Sequence, residues 1–234
     1  MLNLKDKRFQ DNENFLFLQR LLKNPRALGA IAPSSKALAR FICRHIDYNE
    51  GDYVIEVGAG TGRFTRAILQ AGIPESQLIV LELDKELARY LKTNFPGVHV
   101  IQGNATELET LIPQVAIGNV RTVISGIPMV NLPKKVQKEI IDSCFQVLGD
   151  GGGLLQFTYG LVSPIPAKSF GIFARKLGRV LQNIPPATIW HYSLTPLADV
   201  HLIKTKKNYM RRLLLKLKKP LRFQRRKKEG LNVS

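Results

Sequence analysis

Acidic residues are scarce in this chain: eighteen Asp and Glu stand against thirty-five Lys and Arg, a formal charge of +17. That imbalance argues against cationic partners and for an anionic one, either nucleic acid or an acidic membrane surface. The excess is uneven. From His201 to Ser234 there are thirteen Lys and Arg against Glu229 alone, about +12, which leaves about +5 for the rest. Cysteine is almost missing. Cys43 and Cys144 lie in helical patterns without metal-ligand spacing, which excludes a disulfide framework and leaves two reduced core thiols. His45, His99, His191 and His201 show no partner pattern and read as solvated or structural. No charge-free run of eighteen apolar residues occurs without Gly or Pro breakers, and MLNLKDKRFQDNENF has no signal-peptide apolar core. The expectation is a protein neither secreted nor membrane-spanning, free to lie on a membrane. There are no internal repeats, and 234 residues suit one good core.

What the chain does have is VIEVGAGTG at Val54–Gly62, an apolar strand running into a glycine turn. Gly58 and Gly60 are expected to leave room for a ligand against bare backbone, and Gly62 to let the next helix start close to the strand at Thr61. No lysine follows, so this is not a P-loop, and GAGTG is one residue shorter than GxGxxG. The compact turn suits a cofactor without a pyrophosphate, S-adenosylmethionine, leaving S-adenosylhomocysteine as product and using no metal. About twenty residues on, LIVLELD ends in carboxylates, the distance at which an acid reaches a ribose diol. Glu82 is assigned to the ribose, with Leu83 beside it, while Asp84 caps the next helix. Glu56, costly to bury unpaired, is expected to face the cofactor end of the sheet. Asn104 in GNA, next to Ala105, is placed to contact the adenine amine through its side-chain oxygen.

The coarse pattern alternates strand and helix. Strands are expected at 52–57, 77–83, 99–102, 121–125 and 153–159, with helices at 36–46, 61–70, 85–94, 107–112 and 134–148. Ser34 or Ser35 caps the first helix. The last third breaks the rhythm: a helix at 169–177, then strands at 179–183 and 188–193 around a Pro185-Pro186 turn. Such alternation implies an α/β fold, a parallel sheet with helices on both faces and an antiparallel strand near its end. That is the seven-stranded arrangement of class I methyltransferases. Three regions follow: 1–30, 31–200 for the catalytic domain, and 201–234.

Open α/β sheets bind ligands beyond the carboxyl ends of their strands. SGIPMVNLP at Ser125–Pro133 is therefore where a methyl acceptor should lie, held extended by Pro128 and Pro133. A backbone carbonyl near Ile127 is expected to receive the acceptor amine, with Ser125–Pro128 as orienting backbone. FTYG puts Tyr159 at the same edge, where it would orient an amine, hold a methylated ammonium by cation–π attraction, or simply pack in the core. The segment 12–28 is a basic amphipathic helix suited to the membrane interface or to a lid on the domain. The tail, with Met210, Leu213, Leu214, Leu217 and Leu221 on one helical face, is read as a membrane contact rather than a disordered basic extension.

Together NPRALGAIAPSS, VIEVGAGTG, LELD, SGIPMVNLP, FTYG and NIPPATIWHY resemble the bacterial phospholipid N-methyltransferases that methylate phosphatidylethanolamine. The resemblance spans about residues 12 to 195. It implies stepwise methyl transfer from S-adenosylmethionine to the headgroup amine by a cytoplasmic monomer bound peripherally to the inner leaflet through its N-terminal helix. It also places Ala32–Ser35 near the cofactor and lipid entrance. Asn104 departs from the pattern, where an acid is common, and the tail after about Lys204 is not part of it. The competing reading is a ribosomal RNA adenine dimethylase, which shares the glycine turn and basic charge. Those enzymes use an aromatic in an NLPY loop to clamp a flipped base, and SGIPMVN has none after Pro128, so nucleic acid is not the expected partner.

Overall fold

The computed structural model describes residues 36–196. Ser34, Ser35, the segment 12–28 and the basic tail lie outside the described residues. Seven strands form one sheet in the order β3-β2-β1-β4-β5-β7-β6. They are β1 (Tyr53–Val57), β2 (Leu78–Glu82), β3 (His99–Gln102), β4 (Val120–Ser125), β5 (Leu148–Thr158), β6 (Phe173–Val180) and β7 (Ala187–Ser193). Strands β1 to β5 pair in parallel, and β7 runs antiparallel to both of its neighbours. The expected α/β class I methyltransferase fold is the one observed. The central strands carry little but Val, Ile and Leu because helices cover both faces.

Parity along each strand sends alternate residues to two cores. On one face Ile55, Val57, Ile79 and Leu81 pack with α4 (Leu108–Leu111) and α5 (Lys134–Val147). On the other, Val54, Leu78 and Val80 pack with α1 (Lys36–Cys43), α2 (Arg63–Gln70) and α3 (Lys85–Asn94). Both cysteines are free thiols, as expected. Asp84 caps α3, its carboxylate accepting the N–H groups of Glu86 at 2.9 Å and Leu87 at 3.0 Å.

The region 169–183 departs from expectation. A 3₁₀ turn, Ala167–Phe170, ends at Gly171 in the left-handed region, and the chain then extends as β6 instead of forming a helix over 169–177. The spacing of Phe170, Phe173 and Leu177 fits one helical face. What decides the outcome is β7, whose outer backbone groups would go unpaired without a partner strand. Gly178 completes the fit, since a Cβ there would stand 2.7 Å from the Phe41 ring of α1. The expected hairpin exists, but its first strand closes at Val180, and 181–186 is the connecting loop.

Candidate active site

Strand order reverses between β1 and β4, and the loops leaving these two strands meet there. Gly126 donates its N–H to the Val57 carbonyl at 2.8 Å. A Cβ on Gly126 would stand 2.5 Å from the Gly58 oxygen, and one on Gly58 would stand 2.8 Å from the Ile127 side chain. Gly58 therefore has a different reason from the one expected: the space beside it admits the β4 loop, not a ligand. Gly60 is the open position, with nothing within 4 Å of where a Cβ would stand. Gly62 meets Leu91 and Phe95 of α3 and sets helix packing, as expected.

Two carboxylates lie under this turn. Glu82 is buried, with one oxygen accepting the Gly60 N–H at 2.7 Å and the other the Asp84 N–H at 3.0 Å. Burial pushes its pKa up, and the backbone donors pull against that. The Leu83 N–H also bonds this carboxylate, and three backbone donors still leave acceptor capacity for a hydroxyl. Glu56 is also buried and accepts the Thr65 hydroxyl of α2 at 2.5 Å. Its other oxygen has no partner among the described residues. Burial raises its pKa to about 8; the Thr65 hydrogen bond opposes this and the nearby Glu82 charge adds to it. At the end of β3, Asn104 caps the turn Ala105–Glu107, its side-chain oxygen accepting the Thr106 N–H at 3.2 Å. The oxygen assigned to adenine is thus engaged by its own turn. Leu83 and Ala105 are buried beside these strand ends, and Thr61 is exposed on the turn.

The bare face at Gly60, the Glu82 carboxylate, the unpartnered Glu56 oxygen and the lack of a lysine after the turn match a cofactor that carries a ribose but no pyrophosphate. S-adenosylmethionine fits that description.

Next to the turn, beyond β4 and β5, lies a cavity of about 360 Å³. Ile127, Pro128, Met129, Phe157 and Tyr159 supply much of its wall, and Pro185 closes it from the β7 side. Among the described residues no Lys, Arg, His, Asp or Glu lines it. Phe157 and Tyr159 meet edge to face with ring centroids 5.9 Å apart. Ser125 is buried, its hydroxyl accepting the Ile127 N–H at 3.3 Å.

The expected role of the Ile127 carbonyl needs correction. That oxygen already accepts the Met129 N–H at 2.8 Å and the Gln156 side-chain amide at 3.0 Å, so both lone pairs are engaged. Gln156, not singled out in the sequence, also donates to the Phe157 carbonyl at 2.9 Å and so ties the two pocket walls together. Gln137 of α5 holds the same loop through the Met129 and Leu132 carbonyls at 2.9 and 3.0 Å. The loop is stiff as expected, but buried glutamines hold it along with the prolines. The readable signal was a glutamine at an inward position of the apolar run LLQF, where burial demands partners.

A methyltransferase-domain family model matches residues 54–152. An ornithine lipid N-methyltransferase from Singulisphaera acidiphila is 32% identical over 181 residues, covering 74% of this chain and 92% of that protein. A ribosomal RNA small subunit methyltransferase A from Synechococcus sp. is 32% identical over only 94 residues, 39% of this chain and 30% of that protein. Among solved structures, a TehB-like SAM-dependent methyltransferase from Corynebacterium glutamicum has a TM-score of 0.50 at 17% identity, covering 78% of this chain and 98% of its own. That likeness concerns the fold. No helix among the described residues is long and apolar enough to cross a membrane, and no group of His, Cys, Asp and Glu among them could hold a metal ion.

Proposed function

The chain belongs to the bacterial lipid N-methyltransferases, which draw on S-adenosylmethionine, and we propose that its acceptor is the headgroup amine of phosphatidylethanolamine and its mono- and dimethyl forms, leading to phosphatidylcholine. The observation that carries this reading is the cavity beyond β4 and β5: apolar, walled by two aromatic rings and free of charged side chains. Such a pocket suits a small aliphatic amine that becomes more apolar with each methyl and permanently charged with the third.

When bound, S-adenosylmethionine supplies an electrophilic methyl on a sulfonium. Gly60, Glu82 and Glu56 would hold it, with Thr61, Leu83, Asn104 and Ala105 around it. The chain's own task is to place the amine nitrogen in line at about 3 Å. Among the described residues no Asp, Glu, His or Lys lines the cavity, and in this reading the amine loses its proton to water before it enters. Burial in the apolar pocket favours that neutral form. Tyr159 orients the nitrogen, the Ser125–Pro128 segment shapes the wall beside it, and the Phe157 and Tyr159 rings hold the methylated cation, a contact worth about 0.5–2 kcal/mol.

The relative named for ornithine lipid favours a second acceptor, another lipid bearing a primary amine. The test is incubation with methyl-labelled S-adenosylmethionine and separate vesicles of each lipid, with ribosomal RNA as a third arm. Label in phosphatidylethanolamine is expected. Label in ornithine lipid alone would move the headgroup assignment, and label in RNA alone would overturn the reading.

A further inference from the structure

Large apolar side chains ring the mouth of the acceptor cavity and point into solvent. Val130, Leu161, Val162 and Ile184 are 61, 60, 76 and 82% exposed, and each is flanked by residues that line the cavity or by their immediate neighbours. Leu181, just past the end of β6 at the same sheet edge, is also exposed. Of the other large exposed hydrophobics, Tyr90 and Val115 stand apart from this rim, and Phe173 and Leu194 lie together at the opposite end of the β6–β7 pair.

These side chains are not simply carried by loose loops. Between Val162 and Pro164, the Ser163 hydroxyl bonds the Ile165 carbonyl at 2.6 Å and the Tyr192 hydroxyl at 2.7 Å, and both Ile165 and Tyr192 are buried. Asn183 is buried and donates to the Pro185 carbonyl at 2.7 Å, which fixes the loop on either side of Ile184. Gln137 holds the turn that carries Val130. Anchors face inward and apolar side chains face out.

The charge around this rim is of one sign. From Phe157 to Ser193 the chain contains no Asp or Glu, while Lys168, Arg175, Lys176 and Arg179 lie within it. The start of α5 adds Lys134 and Lys135, again with no acid between Gly126 and Lys135. An apolar ring with cations around it complements the interface of an anionic bilayer, where apolar groups sink ~5–10 Å and basic groups stay at headgroup level.

We propose that Val130, Leu161, Val162, Leu181 and Ile184 form a membrane-inserting rim that seats the mouth of the acceptor cavity at headgroup depth. The amine then reaches the cavity while the acyl chains stay in the bilayer. This rests on the lipid-acceptor reading above and adds where and how the catalytic domain itself meets its substrate.

The test places an environment-sensitive fluorophore at Val162→Cys in the full chain, with Val115→Cys as the control. Val115 is 64% exposed and lies before the start of β4, away from the carboxyl edge. Cys43 and Cys144 are poor competitors for the label, because burial pushes both thiols up to about 12. With vesicles of phosphatidylethanolamine and phosphatidylglycerol, lipids spin-labelled near the headgroup should quench the fluorophore at 162 and not at 115. The double variant Leu161→Asp with Val162→Asp should lower methyl transfer to vesicle lipid by ~10-fold or more. Transfer to a short-chain phosphatidylethanolamine below its micelle concentration should be unchanged.

A fluorophore at 162 that stays unquenched while the protein sediments with the vesicles would overturn the proposal, leaving attachment to other parts of the chain. Burial of the fluorophore without vesicles, with a doubled mass by light scattering, would overturn it in favour of a second copy. Quenching at 162 without label in any lipid would support the rim and refute the assigned acceptor instead.

Discussion

Glu56→Gln separates the electrostatics of the buried carboxyl from its packing. Glu56 is buried, has one hydrogen bond and carries a pKa raised from 4.5 to about 8, chiefly by burial. A carboxyl that holds its proton more tightly when folded favours the folded protein most at low pH. Its contribution is whole below 4.5 and is lost as pH climbs through about 8. At 1.36 kcal/mol per pH unit, the loss is ~3 kcal/mol by pH 7 and ~5 kcal/mol once both states are ionised. Glutamine keeps the shape and can still accept the Thr65 hydroxyl, but its NH₂ takes the place of the unpartnered oxygen. That leaves an unpaired donor at a cost of ~1–3 kcal/mol at every pH. The variant should therefore be no more stable than the parent at pH 5 and more stable at pH 8.5. The difference between the two should swing by ~4 kcal/mol toward glutamine over that range. Urea unfolding of the full chain, followed by circular dichroism without cofactor at pH 5, 7 and 8.5, measures it. Parallel stability profiles would refute the reasoning and show Glu56 ionised in both states.

The glycine turn should divide by role. Gly62→Ala puts a methyl 2.5 Å from the Phe95 ring at positive φ, so unfolding should show a loss of ~2–4 kcal/mol. Gly60→Ala meets no atom within 4 Å and should cost only the ~1 kcal/mol of its left-handed backbone. By calorimetry it should nevertheless weaken cofactor binding at least ~10-fold, because the methyl stands on the bare ligand face. Tyr159→Phe keeps the ring and removes the hydroxyl; kcat/KM for the lipid amine should fall ~10-fold with cofactor affinity unchanged, and full turnover would reduce the hydroxyl to a packing role. Gln156→Leu frees the Phe157 carbonyl and one bond to Ile127, and should destabilise by ~1–3 kcal/mol while lowering lipid turnover more than cofactor affinity.

Strands β1 to β5 were legible because a buried parallel strand requires a nearly continuous apolar run, and the intervening helices carry their own period. Asp84 was legible for a local reason: a cap depends on residues two and three places away. Features set by distant neighbours were not. Gly58 read as ligand space because nothing local reveals that Ile127, far along the chain, fills it. The helical spacing of Phe170, Phe173 and Leu177 concealed an edge strand whose conformation is chosen by β7. The Ile127 carbonyl looked available until Gln156, on another strand, was seen to occupy it. The rule that identified Glu56, that a polar residue buried in an apolar strand must find a partner, applied equally to Gln156.

The two halves of the site differ in charge for a reason that follows from the chemistry proposed. The half at β1 and β2 holds the buried Glu82 carboxylate and oriented N–H groups, suited to a cofactor that is cationic and stays so until the methyl leaves. The cavity at β4 and β5 is lined by no charged side chain among the described residues. A carboxylate there would attract the amine, but as ammonium, with its lone pair occupied by a proton, and would raise its pKa at the moment when it must be neutral. The same carboxylate would bind the quaternary product most tightly of all, since that cation cannot lose its charge. Aromatic faces avoid both effects. They favour a cation too weakly to protonate an amine in an apolar pocket, yet enough to offset part of the desolvation of the methylated product before it returns to the membrane.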